Sequence, residues 1–445
     1  MAQISADLIV IGAGPGGYEI AARRAALGEH VIIIEKSAAG GTCLNRGCIP
    51  TKCLCATAER LIELRDFAEF GITVGDVAPD YAVAVRRMNT VVDSLRADVH
   101  AAIAKCTLVE GVAAFNPDGS IAVGDDTYTA ARIIIATGSR PSALPIPGAE
   151  LAISSDDFLK LEALPRRLAI IGAGVIGMEL ASIAAAFGSE VTVLEYCPEI
   201  LPNFDAEIAK RLRSMLSRRG VKSVVGAQVT AIDRHEDNTL SVSYNTRKGE
   251  ATVDADMVLM AVGRRPVVPD GIEAAGICVD RRGAIITDDN METSRAGVYA
   301  VGDCNGRLML AHAASAQAQR VYGGDVDLSL VPSAVFTIPE AAMAGITAEQ
   351  AAELTVETKS AKAMYAGNGK ARAEGHTDGF IKVIYSATDR RLLGVHALGA
   401  HASDLVAEAT VAIAASLTVD DLAHRIIHSH PTLSEVLARA CANAL

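Results

Sequence analysis

The sequence L-I-V-I-G-A-G-P-G-G, residues 8–17, joins four apolar residues to a run of spaced glycines. A buried strand that enters such a turn and leaves it as an Ala-rich helix is the start of a βαβ nucleotide-binding unit. Gly12, Gly14 and Gly17 permit the tight turn and let a pyrophosphate approach the helix amino terminus. Glu35 ends the next predicted strand, where its carboxylate can accept hydrogen bonds from ribose hydroxyls. These residues predict a dinucleotide site.

The same pattern returns 160 residues further along the chain, where residues 168–195 match residues 8–35 at 13 of 28 positions. The second copy comprises Gly172, Gly174, Gly177 and Glu195. A glycine turn without a ligand is the alternative for a single copy, but two complete copies favour two bound dinucleotides. No basic residue follows Glu195 up to position 201, and a carboxylate repels a 2′-phosphate. We therefore expect NAD rather than NADP at the second copy.

Length and composition narrow the classes of function. The 445 residues suffice for about three domains, and a net charge of -12 without Lys or Arg clusters argues against binding nucleic acid. No signal peptide is predicted, and Glu179 with four glycines makes residues 168–188 a strand, turn and helix rather than a membrane span. Nine cysteines without an export signal indicate a reducing cytoplasm. Any disulfide is therefore expected to take part in a reaction.

Changes in composition divide the chain into four regions, 1–143, 144–266, 267–331 and 332–445. The first boundary lies in a linker with three prolines, and the last region differs from the others in its pattern of apolar and polar residues. There, alternating apolar residues at 380–385 and 392–398 predict an antiparallel hairpin, followed by helices at 404–416 and 432–440. The predicted fold is α/β, with two Rossmann-like dinucleotide-binding domains and a C-terminal α+β domain.

Cys43 and Cys48 lie in G-G-T-C-L-N-R-G-C-I-P-T-K, immediately after the first nucleotide unit. In a regular α-helix their Cα atoms would be about 8.7 Å apart, beyond the limit of about 7 Å for a disulfide. Gly47 and Pro50 would permit an irregular first turn that brings the sulfurs together. Two buried thiols and half of a zinc site are the alternatives, although no second C-x-x-C accompanies them.

The stretch H-S-H-P-T-L-S-E, residues 428–435, contains a second candidate for chemistry. His430 is followed by Glu435, a carboxylate that can orient the imidazole and stabilise its charge during proton transfer from a thiol. A capping or surface histidine is the alternative reading of the same residues.

Together these motifs resemble those of the flavin-dependent pyridine nucleotide-disulfide oxidoreductases, and within that family the enzymes that oxidise dihydrolipoyl groups. The resemblance covers nearly the whole chain. Its motifs are G-A-G-P-G-G from Gly12, the cysteine stretch from Gly40, A-T-G-S-R-P from Ala136, G-A-G-V-I-G-M-E from Gly172, V-Y-A-V-G-D from Val298, and H-P-T-L-S-E from His430.

The resemblance implies two cofactors and a homodimer. Residues 1–143 would form an FAD-binding domain, residues 144–266 an NAD-binding domain, residues 267–331 a region that completes the FAD site, and residues 332–445 the interface domain. Glu35 would bind the adenosine ribose and Asp303 the sugar-like chain of the flavin. Lys52 would pair with Glu179 beside the flavin ring and tune its redox chemistry. Further cofactor contacts are implied for Thr137, Gly138, Gly263 and Ala311.

The resemblance also implies a reaction. His430 of a partner subunit, oriented by Glu435, would take a proton from a dihydrolipoyl dithiol carried on another protein. The resulting thiolate would attack the Cys43–Cys48 disulfide at Cys43, and Cys48 would face the flavin. Electrons would then pass through FAD to NAD, and the reverse direction is equally allowed.

Some residues depart from the family pattern. Gln317 stands where an acid is expected, and Cys53, Cys55 and Cys304 replace commoner aliphatic residues, which we interpret as small buried hydrophobes. A glutathione-like reductase, a mercuric reductase and a transhydrogenase are rivals within the family. Glu195 disfavours the first, the lone Cys441 the second, and the full cysteine and histidine set the third. A non-catalytic flavoprotein subunit is the alternative from another class.

Overall fold

The structure, a computed structural model, describes residues 2–444. Within them the strands, numbered along the chain, are β1 Gln3–Ile11, β2 Val31–Glu35, β3 Thr107–Glu110, β4 Ala114–Phe115, β5 Ile121–Val123, β6 Asp126–Ile135, β7 Ser139–Pro141, β8 Arg167–Ile171, β9 Glu190–Glu195, β10 Val221–Val225, β11 Gln228–Arg234, β12 Leu240–Thr246, β13 Gly249–Ala255, β14 Met257–Met260, β15 Arg264–Pro266, β16 Val298–Ala300, β17 Ser333–Val335, β18 Glu340–Gly345, β19 Thr358–Met364, β20 Phe380–Ser386 and β21 Leu392–Gly399. The helices are α1 Pro15–Ala26, α2 Gly41–Arg46, α3 Cys48–Glu63, α4 Tyr81–Ala102, α5 Ser155–Phe158, α6 Val175–Ala186, α7 Ala206–Arg218, α8 Ala311–Arg320, α9 Ala348–Ala352, α10 Gly369–Ala373, α11 Ala402–Ala414 and α12 Glu435–Ala442.

The first nucleotide unit is built on a sheet of order β3-β2-β1-β6-β5-β4, to which β16 adds beside β6. Strand β1 is parallel to both β2 and β6, and β16 is parallel to β6. Alternate residues of β1 enter different cores, Leu8 and Val10 on one face and Ile9 and Ile11 on the other. Both faces are covered, which is typical of a parallel sheet. The region after residue 266 therefore returns a strand to the first sheet.

The second unit repeats this arrangement with the sheet β10-β9-β8-β14, whose strands are all parallel. An antiparallel sheet, β11-β12-β13, follows it. The apolar segment 168–188 forms most of β8 and all of α6, as predicted. In residues 2–444, no helix is both long enough and apolar enough to cross a membrane.

The last unit is an antiparallel sheet of order β17-β18-β21-β20-β19 packed against α11 and α12. The predicted hairpin is confirmed as β20 and β21. The helix predicted from residue 432 begins only at Glu435, because the Glu435 carboxylate accepts a hydrogen bond from the backbone N–H of Thr432 at 2.9 Å and closes a turn before the helix. These units confirm the α/β class with two Rossmann-like domains and a C-terminal α+β domain.

One hydrophobic core is shared by all three units. It contains Leu54 and Ala58 of α3, Met178 of α6, and Phe380 and Leu398 of the C-terminal sheet. A buried ion pair between Lys382 of β20 and Asp205, 2.8 Å apart, adds a polar contact between the second and third units. The shared core therefore holds α3 and α6 beside the C-terminal sheet.

Candidate active site

The first glycine of each nucleotide motif is required by a neighbouring strand. Gly12 and Gly172 have φ values of +104° and +103°. A Cβ atom at Gly12 would lie 2.4 Å from the carbonyl oxygen of Ala136, and one at Gly172 would lie 2.5 Å from that of Ala261. Only glycine avoids both the strain and the collision.

The other motif glycines are of two kinds: Gly17 and Gly177 pack closely against backbone, and a Cβ atom at Gly14 or Gly174 would have no close contact. A Cβ atom at Gly17 or Gly177 would approach a backbone oxygen to 2.0 or 2.1 Å, so these glycines allow the helix to pack on the strand. At Gly174, by contrast, no described atom lies within 4 Å of such a Cβ, and at Gly14 the nearest is 3.8 Å away. The Cβ direction is therefore open at Gly174, whereas at Gly14 it meets the Cα of Gly41 in ordinary van der Waals contact. The backbone N–H groups at the amino terminus of each helix suit a pyrophosphate.

The two predicted ribose acids also hold the glycine loops. Glu35 accepts a hydrogen bond from the backbone N–H of Ala13 at 2.7 Å, and Glu195 accepts one from Ala173 at 2.6 Å. Both carboxylates are buried at the carboxyl ends of their strands. Sequence reasoning missed this bond to the loop, although the two copies repeat it at the same spacing. The acids thus connect the second strand of each unit to the turn that would receive the pyrophosphate.

The cysteine stretch is attached to the first glycine loop. The backbone N–H of Gly40 donates to the carbonyl of Ala13 at 2.7 Å. A Cβ atom at Gly41 would lie 2.6 Å from the Cα of Gly14, so α2 begins in close contact with Gly14 of the loop. The residues that would hold the first dinucleotide therefore also position Cys43 and Cys48 near it.

The two cysteines lie on two separate helices, and not on the single regular helix that would keep them too far apart for a disulfide. Cys43 lies in α2 and Cys48 is the first residue of α3, with Gly47 between the two helices. A Cβ atom at Gly47 would lie 2.9 Å from the carbonyl oxygen of Thr42, too close for another residue without a local shift. Both cysteines are free thiols, and in residues 2–444 no group of three or more His, Cys, Asp or Glu side chains is arranged for a metal.

The two thiols differ in acidity. A hydrogen bond from the Cys43 thiol lowers the pKa of Cys48 to about 7, and the charge of Lys52 acts in the same direction against the effect of burial. The same hydrogen bond raises the pKa of Cys43 well above that of an ordinary thiol, and burial adds to this. The reduced pair is therefore expected to hold one thiol, Cys43, and one thiolate, Cys48, above neutral pH.

We expect the ultraviolet absorbance of the Cys48 thiolate in the reduced, cofactor-loaded protein to titrate with a midpoint near pH 7. Below that midpoint Cys48 is protonated, so the signal is lost as the pH falls. The same titration of a Cys48→Ser variant is subtracted to remove other groups. Cys43→Ala removes the main cause of the low pKa and should move the midpoint toward the ordinary thiol value of about 8.5. A midpoint that Cys43→Ala leaves unchanged would contradict the assigned cause.

Lys52 and Glu179 are brought together from positions 127 residues apart. The Lys52 ammonium lies 2.9 and 3.0 Å from the two carboxylate oxygens of Glu179, whose side chain is buried. The backbone N–H of Phe336 also donates to Glu179, at 3.0 Å, and the Phe336 ring centroid lies 4.2 Å from the Lys52 ammonium. Because Lys52 follows Cys48 by one helical turn, its charge lies on the same face of α3.

Asp303, another predicted cofactor contact, is held by a hydroxyl group, which a guanidinium group holds in turn. Its carboxylate accepts a hydrogen bond from the Ser139 hydroxyl at 2.5 Å, and the Arg264 guanidinium donates to the same hydroxyl oxygen at 2.7 Å. Thr137 donates to the carbonyl of Val267 at 2.5 Å. The other predicted positions are Gly138 and Gly263, both with positive φ, and Ala311, the first residue of α8. Sequence reasoning missed Ser139, although it lies within the motif from Ala136, and Arg264, which follows the predicted contact Gly263.

Gln317 supports the turn that carries Asp303. Its side-chain oxygen accepts hydrogen bonds from the backbone N–H of Gly302 at 2.7 Å and from the Asn305 amide at 2.9 Å, and the residue is buried. A neutral amide can therefore fill the position expected for an acid. The next residue in the turn, Cys304, is fully buried, and burial raises the pKa of its thiol to about 12.

The extra cysteines near the site differ from one another. Cys55 is buried and its thiol donates to the carbonyl of Phe336 at 3.2 Å. Cys53 is only partly buried, so the prediction that Cys53, Cys55 and Cys304 are all buried hydrophobes is wrong for Cys53. The two cysteines differ in burial because they point in different directions from α3, and the sequence alone did not predict that difference.

His430 and Glu435 form a pair on the outer surface of the last unit. The His430 Nδ1 atom lies 3.0 Å from the Glu435 carboxylate, and the hydrogen bond between them lowers the pKa of Glu435. The imidazole is 79% exposed. Across the described part of the chain, no hydrogen bond or salt bridge joins His430 to Cys43, Cys48, Lys52 or Glu179. The single chain therefore brings together the cysteines and the Lys–Glu pair, and leaves the histidine facing outward.

Two family models match almost the whole chain. The model described as pyridine nucleotide-disulphide oxidoreductase matches residues 6–318, and the model of the dimerisation domain of the same family matches residues 331–441. The second match includes both His430 and Glu435.

Full-length relatives agree with these matches. Dihydrolipoyl dehydrogenase of Chlamydia muridarum is 38% identical over 98% of this chain and 96% of its own length. The protein of the same name from Geobacillus stearothermophilus is 38% identical over 99% of this chain and 97% of its own. Among solved structures, the HOCl-induced flavoprotein disulfide reductase RclA from Escherichia coli is 30% identical, with a TM-score of 0.87 over 98% of this chain and 99% of that one. The chain therefore belongs to the pyridine nucleotide-disulphide oxidoreductase family, whose enzymes use FAD and NAD(H).

Proposed function

We propose that this chain oxidises the dithiol of a dihydrolipoyl group on a carrier protein to the disulfide, with NAD as the final acceptor. The observation that carries the proposal is the unequal pair of thiols, Cys43 and Cys48, held on either side of the Gly47 break and beside the Lys52 charge. The name shared by the curated relatives supports this substrate. A reducing cytoplasm, inferred from the cysteine content, is part of the proposal.

The chemistry of the thiols suits disulfide exchange. His430 accepts the proton of one substrate thiol, and the resulting thiolate attacks the sulfur of Cys43 in the oxidised pair, forms a mixed disulfide and displaces Cys48 as a thiolate. The second substrate thiol then attacks the substrate sulfur of that mixed disulfide, which releases the oxidised substrate, and its proton passes to Cys43, which leaves as a thiol. A leaving thiolate of low pKa departs faster, so the acidity of Cys48 favours attack at Cys43.

The residues that would hold the cofactors follow from the two glycine loops. Gly12, Gly14, Gly17 and Glu35, with Asp303 and Lys52, would hold FAD, which when bound supplies a two-electron connection between the thiols and the nicotinamide. Gly172, Gly174, Gly177 and Glu195 would hold NAD, with Glu195 disfavouring the 2′-phosphate of NADP. Thr137, Gly138, Gly263, Ala311 and Glu179 complete the proposed cofactor contacts. The boundaries at residues 143, 266 and 331 belong to the same proposal.

A homodimer would complete the site. The exposed His430 side chain lies in the part of the chain that matches the dimerisation model, with Glu435 held against its Nδ1 atom. A second copy could present this pair to the cysteines of the first, so that Nε2 accepts the substrate proton while Glu435 stabilises the resulting charge. A monomer would then lack its base.

The decisive experiment is an activity panel of the purified protein with NADH or NADPH against lipoamide, glutathione disulfide and mercuric ion. We expect turnover with NADH and lipoamide, and at least a tenfold preference for NADH over NADPH because of the Glu195 carboxylate, roughly the effect of one lost charged contact. Dihydrolipoamide with NAD measures the forward direction. Turnover with glutathione disulfide or mercuric ion alone would contradict the proposal.

A disulfide reductase with another substrate is the second candidate. The likeness to the flavoprotein disulfide reductase RclA favours it, at 30% identity and a TM-score of 0.87. The same cysteine pair can run in either direction, so the candidates differ in substrate and not in the residues that react. A flavoprotein that NADH reduces but that turns over no disulfide would instead support a non-catalytic subunit.

A further inference from the structure

Phe336 contacts residues of both nucleotide units from its place in the C-terminal unit. It directly follows β17, and its backbone N–H donates to Glu179 at 3.0 Å. Its carbonyl oxygen accepts a hydrogen bond from the Cys55 thiol at 3.2 Å. The centroid of its ring lies 4.2 Å from the Lys52 ammonium. One residue thus touches α3 twice and α6 once through three different groups.

The segment that carries Phe336 is itself fixed against α6 and against the residue that follows α7. The backbone N–H of Ile338 donates to the Ser182 hydroxyl at 3.1 Å, and the carbonyl of Ile338 accepts from the Arg219 guanidinium at 2.6 Å. Val335, on the other side of Phe336, is fully buried in the shared core. The ring is therefore presented to Lys52 from a backbone that is held on both sides.

These contacts restrict Lys52. Its ammonium lies between the buried Glu179 carboxylate and the face of the Phe336 ring, and the ring face attracts a cation. The Phe336 N–H also holds the carboxylate oxygen that accepts from Lys52. Since Lys52 lies one turn after Cys48 on α3, any movement of the ammonium changes the positive potential at the Cys48 sulfur.

We propose that Phe336 is a positioning residue, which fixes the Lys52 ammonium against Glu179, one helical turn after Cys48, and thereby sets the thiolate fraction of Cys48 in the reduced enzyme. The inference rests on the proposed role of the cysteine pair. Through Phe336 the C-terminal unit would affect the cysteine pair of its own chain, in addition to presenting His430 and Glu435 to a partner subunit. Phe336 acts through Lys52 and need not touch substrate.

The test is the ultraviolet titration of the Cys48 thiolate in the reduced, FAD-loaded protein, with the Cys48→Ser titration subtracted. Phe336→Leu keeps the backbone contacts and removes the ring face, so the midpoint should rise by roughly half a pH unit, the scale of one cation–π contact. Phe336→Tyr keeps the ring face and should restore the wild-type midpoint. Melting temperature and FAD content are measured for each variant, and Phe336→Met replaces the Leu variant if the latter does not fold.

Phe380→Leu is the matched control. Its ring centroid lies 5.7 Å from the Lys362 ammonium, a longer cation–ring contact in the same unit that does not involve Lys52. This control should leave the Cys48 midpoint unchanged. An unchanged or lowered midpoint in Phe336→Leu, or an equal rise in Phe336→Leu and Phe380→Leu, would overturn the inference.

The titration separates this inference from the proposed function. If the wild-type protein turns over dihydrolipoamide but its Cys48 midpoint is insensitive to Phe336, the proposed function stands and the positioning role of Phe336 is wrong. If the midpoint shifts as expected but the protein turns over no dithiol, the positioning role stands and the proposed substrate is wrong.

Discussion

Replacing Cys48 with Ser is expected to abolish turnover of lipoamide and dihydrolipoamide while the protein still binds FAD. Serine keeps the shape of the first turn of α3, but it cannot form the disulfide that accepts two electrons from the substrate. The rate should fall by roughly a thousandfold or more, as expected when one member of a reacting unit is removed. Steady-state turnover and the visible flavin spectrum measure the two parts of this prediction.

Cys53→Ser is the matched control, since it makes the same substitution on the same helix, five residues further on. Cys53 is partly buried and has no place in the proposed reaction. This variant should retain both FAD and turnover. Undiminished turnover in Cys48→Ser would remove the proposed route through the cysteine pair, and loss of FAD from that variant would make its inactivity a structural effect.

Replacing His430 with Gln should slow dithiol oxidation by roughly a hundredfold to ten-thousandfold, the usual contribution of a general base. Glutamine preserves a polar contact to Glu435 but cannot accept the proton of a substrate thiol. Reduction of the flavin by NADH does not require that proton transfer, so its rate should stay at the wild-type value. Rapid-mixing measurements of the two half-reactions, each under anaerobic conditions, separate these effects.

His401→Gln is the corresponding control. His401 is another exposed histidine of the last unit, 61% exposed and 3.7 Å from the carboxylate of Asp404. It should leave both half-reactions unchanged. Equal slowing of both half-reactions in His430→Gln would count against the assigned base, because a general loss of structure and not of proton transfer would explain it.

The glycine loops show how much of the site a sequence pattern can predict. Gly12 and Gly172 are dictated by contacts with strands that end beside them, and their spacing from Gly17 and Gly177 follows from the geometry of a single turn. Such requirements are local, so the motif carries them wherever it occurs. The bonds from Glu35 and Glu195 to the loops were missed, because a motif names the residue at the end of the strand and not the direction of its side chain.

For the cysteine pair, the sequence predicted the break between the helices but not the difference in acidity between the thiols. The separation of five residues indicated that a regular helix could not join Cys43 and Cys48, and Gly47 was the residue that could break it. The break lies at that glycine. The hydrogen bond between the two thiols is the main cause of their difference in acidity. The charge of Lys52 lowers the pKa of Cys48 further, and its ammonium is held by Glu179 and Phe336 from distant parts of the chain.

The sequence alone determined the class of fold and the two nucleotide units, because these depend on spacings of a few residues that fix local backbone geometry, and the family resemblance predicted Cys43 and Cys48 as the reacting pair. Tertiary structure alone decided that Phe336 of the C-terminal unit meets Lys52 and Glu179, and that His430 faces outward. Such contacts arise when separate units bury a common core, and the positions that meet there are set by the packing of whole helices and sheets rather than by any short pattern.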